Sequence, residues 1–269
     1  MKETEADFQL FKRFKQNQNR KKIIVLSWQI MVLVSFFLLW ELASRMYWID
    51  PFICSSPSQI TAFLFGNGSS EFVLIHLRTT LLETAAGIII GTISGILTAR
   101  ALWTSFRFST VMNSGLIIMK AMPIWALGPI IIIVLWPDYG AIITIGAVFS
   151  AITTSSIVYS AFKAVDDNYI KLLKSFGATR GEIFKEAVFP AALPTVISTL
   201  KINILISWIG IIIGEFLVSK GGLGYLISYG TRVNDFTLIL ASVLLIAVSA
   251  AIMYGIVERT EHWLLQKIK

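Results

Sequence analysis

Cysteine is almost absent from this chain, with Cys54 the single example in 269 residues. That excludes an internal disulfide framework and any cysteine-built metal cluster. Histidine is nearly as scarce: His76 and His262 lie far apart, and neither has the neighbours of a catalytic or metal-ligating set. No G-x-x-x-x-G-K-[ST] stretch occurs, so the chain has no P-loop for a nucleotide phosphate. Charge is also sparse, at 14% Asp, Glu, Lys and Arg against about 25% in an ordinary soluble domain.

What fills the space is apolar. Hydrophobic residues make up 55% of the chain and its mean hydropathy is +0.74. Such a surplus has to face lipid, which makes this an all-α integral membrane protein. Six apolar runs, near 23–44, 80–102, 108–135, 139–162, 196–218 and 236–258, each reach the roughly 20 residues that cross a hydrocarbon layer. They lack the alternation of a membrane β-barrel. The first is longer than the core of a cleaved signal peptide and follows a basic tail, residues 1–22. That tail forms either an amphipathic surface helix, with Phe8, Leu10, Phe11 and Phe14 at the headgroups, or a solvated arm. The remainder, 23–269, forms one membrane domain.

The net charge of +7 is explained by orientation and does not require a nucleic-acid partner. With the basic tail inside and six crossings, most Lys and Arg fall on the inner side. Only Arg45, Arg78, Lys220 and Arg232 remain in outer segments. The positive-inside rule therefore places both termini, and residues 163–195, in the cytoplasm.

That inner segment is a polar hairpin, DDNYIKLLKSFGATRGEIFKEAVFPAALP from Asp166 to Pro194, stranded between apolar runs. Asp166, Asp167 and Asn168 can cap a first short helix, and Gly177 supplies the left-handed residue that ends it. Thr179 and Glu182 have capping-box spacing for a second helix, which Pro190 is expected to stop.

Further features lie within the runs. Gly87, Gly91 and Gly95 form overlapping G-x-x-x-G units on one helical face, fit for close helix packing. Glu83 reads as an interfacial residue. The third run is interrupted by KAMPIWALGP, where Pro123 and Pro129 break backbone hydrogen bonds. Lys120 in the same run either lines a pathway or snorkels to the interface. Glu215, near the outer face, is placed to pair with Lys220 ahead of the turn-forming run GGLGYLI. In the loop from Asp50 to Ser69, Ser58 is the expected cap of a short helix reaching Phe65.

The hairpin resembles the coupling loop of binding-protein-dependent ABC importer permeases, written E-A-A-x-x-x-G-x(9)-I-x-L-P. Gly177 and Pro190 match, whereas Lys171, Leu172 and Leu173 stand where E-A-A is usual, and Ala187, Val188 and Phe189 fill the I-x-L slots. Pro123 to Pro129 is similar to the path-lining P-x-x-A-W-x-P-L of the nitrate/sulfonate/taurine branch, with Trp125 and Ala126 in reversed order. Gly214-Glu215 followed by GLGYLI resembles the same branch.

The resemblance, over roughly residues 40–265, implies six transmembrane helices with a cytoplasmic helix-turn-helix coupling loop between helices 4 and 5. It implies a cell-membrane permease subunit, not an enzyme, importing a small sulfonate-, nitrate- or taurine-like anion or a vitamin precursor. A second permease copy, two ABC ATPase subunits carrying ATP and Mg, and an extracytoplasmic solute-binding protein would complete the assembly. Phe176, Gly177, Ala178, Arg180, Glu182, Ile183 and Phe184 would dock the ATPase, and Lys120, Pro123, Trp125, Trp208 and Glu215 would line the substrate path. Two rivals differ in class. An ion-driven secondary transporter calls for internal repeats and paired intramembrane carboxylates, neither evident in the sequence, and a scaffold would recruit some other cytoplasmic protein. In a Cys54→Ser background, single cysteines placed across residues 166–190 should be protected from an impermeant thiol reagent added outside intact cells and become reactive after permeabilisation. Labelling of intact cells would reverse the orientation.

Overall fold

The computed structural model describes residues 2–50, 53–66, 69–122, 124–135 and 139–268, and regular structure among them is entirely helical. Lipid supplies no partners for backbone N–H and C=O groups, and a helix satisfies them within one segment. In chain order the helices are α1 (Lys2–Arg45), α2 (Pro57–Phe65), α3 (Ser69–Thr104), α4 (Phe106–Ala121), α5 (Ile124–Leu135) and α6 (Tyr139–Lys163). They continue as α7 (Asp167–Ser175), α8 (Arg180–Ile183), α9 (Phe189–Val218), α10 (Leu223–Val233) and α11 (Phe236–Ile268), with a π-helical turn over Phe184–Val188.

Five stretches are long and apolar enough to cross a membrane: Ile23–Arg45, Ser70–Thr104, Tyr139–Lys163, Arg180–Val218 and Phe236–Lys267. The sixth expected run, 108–135, differs. It is divided into α4 and α5, each shorter than a span requires, at the interruption anticipated around KAMPIWALGP. Pro123 itself lies outside the described residues, whereas Pro129 sits inside α5.

The chain forms two units, one up to Ala62 and one from Phe63 onward. In the first, the α1 helix runs unbroken through residues 2–22 into the first span. The short helix α2 is capped by Ser56 and not by Ser58. Ser56 Oγ accepts from Gln59 N–H (3.3 Å) while Gln59 Oε1 accepts from Ser56 N–H (3.0 Å), a reciprocal capping box. Ser58 is drawn instead to Glu41, which accepts from its N–H and hydroxyl at 3.1 and 2.9 Å and from Arg45 Nε at 2.7 Å. A charged acceptor outcompetes the helix end for the Ser58 hydroxyl.

In the second unit α3, α6 and α9 pack together at their glycines. A methyl group at Gly91 would stand 2.5 Å from Ala147 O and from Ser150 Cβ, and one at Gly95 would stand 2.5 Å from Thr154 Cβ. Gly146 and Gly210 meet in the same way across α6 and α9, where a Cβ on Gly210 would lie 3.2 Å from Gly146 Cα. Hydrogen bonds reinforce the contact: the buried Asn203 Nδ2 of α9 donates to Thr92 Oγ1 of α3 (2.8 Å) and to Thr154 Oγ1 of α6 (2.7 Å). In lipid, where helices gain nothing from leaving water, close packing and such polar contacts provide the association. Gly91→Ala and Gly95→Ala should each destabilise the purified protein by about 1–3 kcal/mol in denaturant titrations in detergent. Gly255→Ala, whose added methyl meets nothing within 4 Å, should be near neutral.

Candidate functional site

The polar hairpin has the two capped helices that its sequence announces. Asp166 accepts from Asn168 N–H (2.9 Å) and opens α7. At the other end Gly177 adopts φ +83°, Gly177 N–H bonds Lys174 O and Ala178 N–H bonds Leu173 O, at 2.9 and 3.1 Å. That is a Schellman closure, in which the left-handed residue satisfies carbonyls that the helix leaves open. Thr179 and Glu182 form the capping box of α8: Thr179 N–H donates to Glu182 Oε2 (2.7 Å) and Glu182 N–H to Thr179 Oγ1 (3.4 Å).

Pro190, however, does not stop the second helix. The chain passes from α8 through the π turn directly into α9, and Pro190 occupies the first turn of α9, where its missing N–H is least costly. Phe189 N–H reaches back five residues to Phe184 O. The widened turn takes the backbone strain that a proline imposes on a regular helix.

Two of the expected docking residues point inward. Ile183 is 1% and Phe184 8% exposed, and both belong to a core with Ala99 of α3, Val158 and Phe162 of α6, and Val188, Ala192 and Val196. The Phe184 ring lies 5.1 Å from that of Phe162, 5.5 Å from Trp103 and 6.0 Å from Phe189, with the Arg100 guanidinium 5.2 Å from its centroid. These residues fasten the hairpin to the ends of three helices and are not free to meet another protein. Arg180 adds a polar fastening, its Nη1 donating to Thr104 O at 2.9 Å.

The outward face is different. Phe176, at the tip, is 78% exposed beside Gly177, with Arg180 and Glu182 also exposed and Ala178 half-buried. Tyr169 and Leu172 of α7 extend this apolar face, and the sequence reading passed over them. Their signal was present: 169, 172 and 176 recur at helical spacing on one side, while Ile170 and Leu173 turn toward the core.

Of the residues assigned to a path, only Trp208 and Glu215 have described side chains. The side chains of Lys120 and Trp125 and the whole of Pro123 lie outside the described residues. Trp208 is buried with Ile88 and Ile204 among side chains of α3, α9 and α11. Glu215 is fully buried, and its contacts are not with Lys220, which is exposed. Its Oε1 accepts from Thr80 Oγ1 and its Oε2 from Gly224 N–H, both at 2.7 Å. Leu223 N–H donates to Thr80 Oγ1 (2.7 Å) and Gly222 N–H to His76 Nδ1 (3.0 Å).

The free N–H groups opening α10 are thus capped by side chains of α3 and α9, with a carboxylate at the positive end of the helix dipole. Because His76 Nδ1 accepts, its ring proton sits on Nε2. Gly222 adopts φ +93°, and a Cβ there would collide with the Glu215 carboxyl.

Glu83, read as interfacial, faces inward. It is 4% exposed, buried beside Glu215, and neither of its oxygens meets the geometry of a hydrogen bond. His76, Thr80 and Glu83 recur at three- and four-residue spacing in an apolar run, a stripe from which this network could have been anticipated.

Among the described residues no group of three or more His, Cys, Asp or Glu side chains could hold a metal ion. The arrangement binds helices to each other and offers a protruding apolar face. It sits in a helical chain with five stretches long and apolar enough to cross a membrane. The chain belongs to the family described as binding-protein-dependent transport system inner membrane component, matched over residues 87–269.

A probable ABC transporter permease protein of Haemophilus influenzae is 26% identical over 241 residues, covering 88% of this chain and 95% of the relative. The formylaminopyrimidine transport permease protein ThiX of Halalkalibacterium halodurans is 27% identical, covering 89% and 96%. More distant relatives include permeases for aliphatic sulfonates, taurine and nitrate. The fold is that of the inward-facing MetNI methionine ABC transporter, with TM-score 0.65 and 15% identity over 76% of this chain and 100% of that one.

Glu215→Ala, which strands the Gly224 N–H, should lower stability by about 1–3 kcal/mol and open the 219–222 loop to limited proteolysis. Glu215→Gln, which keeps an acceptor oxygen, should recover part of the loss.

Proposed function

We propose that the hairpin is the element through which this permease is driven by a separate ATPase. The observation that supports this is the contrast within it: Phe176, Tyr169 and Leu172 stand exposed on a polar knob, while Phe184 and Ile183 anchor the same knob to α3, α6 and α9. An exposed apolar tip suits a groove on a partner, and the anchored base provides a route for displacement into the helices. The proposed docking set is therefore Phe176, Gly177, Ala178, Arg180 and Glu182, joined by Tyr169 and Leu172.

In this reading the knob and both termini are cytoplasmic, two copies of the chain surround a central path, and two ATPase subunits carry ATP and Mg. An external binding protein delivers a small solute, either a vitamin precursor such as a formylaminopyrimidine or a sulfonate-, taurine- or nitrate-like anion. ATP binding and hydrolysis then alternate the path between outward- and inward-open states, which requires that the two nucleotide states bias the knob differently. Trp208 and Glu215 serve the helix packing of one copy, and a path belongs to surfaces that each copy leaves open.

Phe176→Ala and Gly177→Asp should each reduce co-purification of the ATPase and solute uptake at least tenfold while membrane insertion stays intact, and Phe176→Ala should leave the unfolding midpoint as in the parent protein. A Cβ at Gly177 meets nothing within 4 Å, but at φ +83° any side chain is strained, so Gly177→Asp should also lower the unfolding midpoint. Unaltered uptake in both variants would remove the knob from the drive mechanism. Measuring which solute the associated binding protein retains would decide between the solute classes.

A further inference from the structure

A cavity of about 610 Å³ lies beside the knob, at the ends of α3 and α6. Its size falls within the roughly 300–1,000 Å³ of small-molecule sites. Lys163, Lys174 and Arg180 line it together with a single carboxylate, Asp167. Three cations against one anion leave a net positive recess, and Lys163 and Lys174 are exposed. Its other walls mix Thr104, Ser109, Thr110 and Tyr159 with apolar side chains, of which Leu102 and Trp103 close the α3 side.

Charge and position together select the occupant. The cavity lies where two stretches long and apolar enough to cross a membrane terminate, at Thr104 and Lys163, which in the proposed orientation is the inner headgroup level. Tryptophan favours that level, and basic pockets at helix ends accept headgroup phosphates. A free anion would use the cations and leave the apolar wall idle. A headgroup with its glycerol and first methylenes would use both.

We propose that this cavity binds the phosphate-bearing headgroup of an anionic phospholipid, with Lys163 and Lys174 as the phosphate contacts and Leu102 and Trp103 against the lipid's apolar portion. Arg180 already holds Thr104 O and closes the recess from the knob side. A lipid seated there would touch both the end of α3 and the first helix of the knob, so the membrane composition would bear on how firmly the knob is held. The site goes beyond the permease reading and is independent of it, since its test reads lipid affinity and not transport.

The experiment titrates the purified chain in neutral detergent with short-chain phosphatidylglycerol, with phosphatidylcholine of equal chain length and with inorganic phosphate, following thermophoresis. Phosphatidylglycerol should bind at least tenfold more tightly than either of the others. K163Q/K174Q, which alters two exposed side chains, should weaken it about thirtyfold. Equal affinity for the two lipids, or a variant that binds as the parent does, would overturn the site. Inorganic phosphate binding as tightly as the anionic lipid would overturn the lipid assignment.

Discussion

Where α3 crosses α6, Gly91 and Gly95 leave no room for a methyl group against Ala147, Ser150 and Thr154, and the rest of the second unit is arranged around that approach. Two backbones at this separation gain dispersion contacts along several turns, which in lipid is the main source of helix association. The same approach brings Thr92 and Thr154 within reach of one amide, Asn203, so that α9 is tied to both neighbours at a single buried point. The α10 cap supplied by Thr80 and Glu215 adds a second polar link between α3 and α9.

The hairpin obeys a different logic. Its first helix, α7, is too short to persist alone, since isolated helices under about 12–15 residues are marginal in water. Caps at Asp166, Gly177 and Thr179 satisfy its ends, but Phe184, inserted among Trp103, Phe162 and Phe189, holds it in place. One residue type therefore serves opposite ends: Phe184 is spent inward on anchoring, while Phe176 is left outward.

Much of this was legible in the residues. Helical class, the caps of the hairpin, the close-packing glycines and the break in the third run follow from periodicity and from the chemistry of Gly, Pro, Thr and Glu. Three kinds of feature were not. Whether Ile183 and Phe184 turn inward depends on which neighbours arrive from α3 and α6, and that is tertiary information. The partner of Glu215 is Thr80, 135 positions earlier in the chain, so proximity in sequence favoured Lys220. Pro190 is equally at home after one helix or in the first turn of the next, and only the widened turn before it separates the two outcomes.

That widened turn carries a mechanical implication. Because nothing ends the helix between Arg180 and Val218, those 39 residues form one continuous rod, about 60 Å along its contour. A tilt of about 5° pivoting at one end would swing the other by about 5 Å, the height of a helical turn. The strut that begins in the knob is also the one whose far tip carries Glu215 and hence the cap of α10, so leverage applied at one face is felt by the loop at the other.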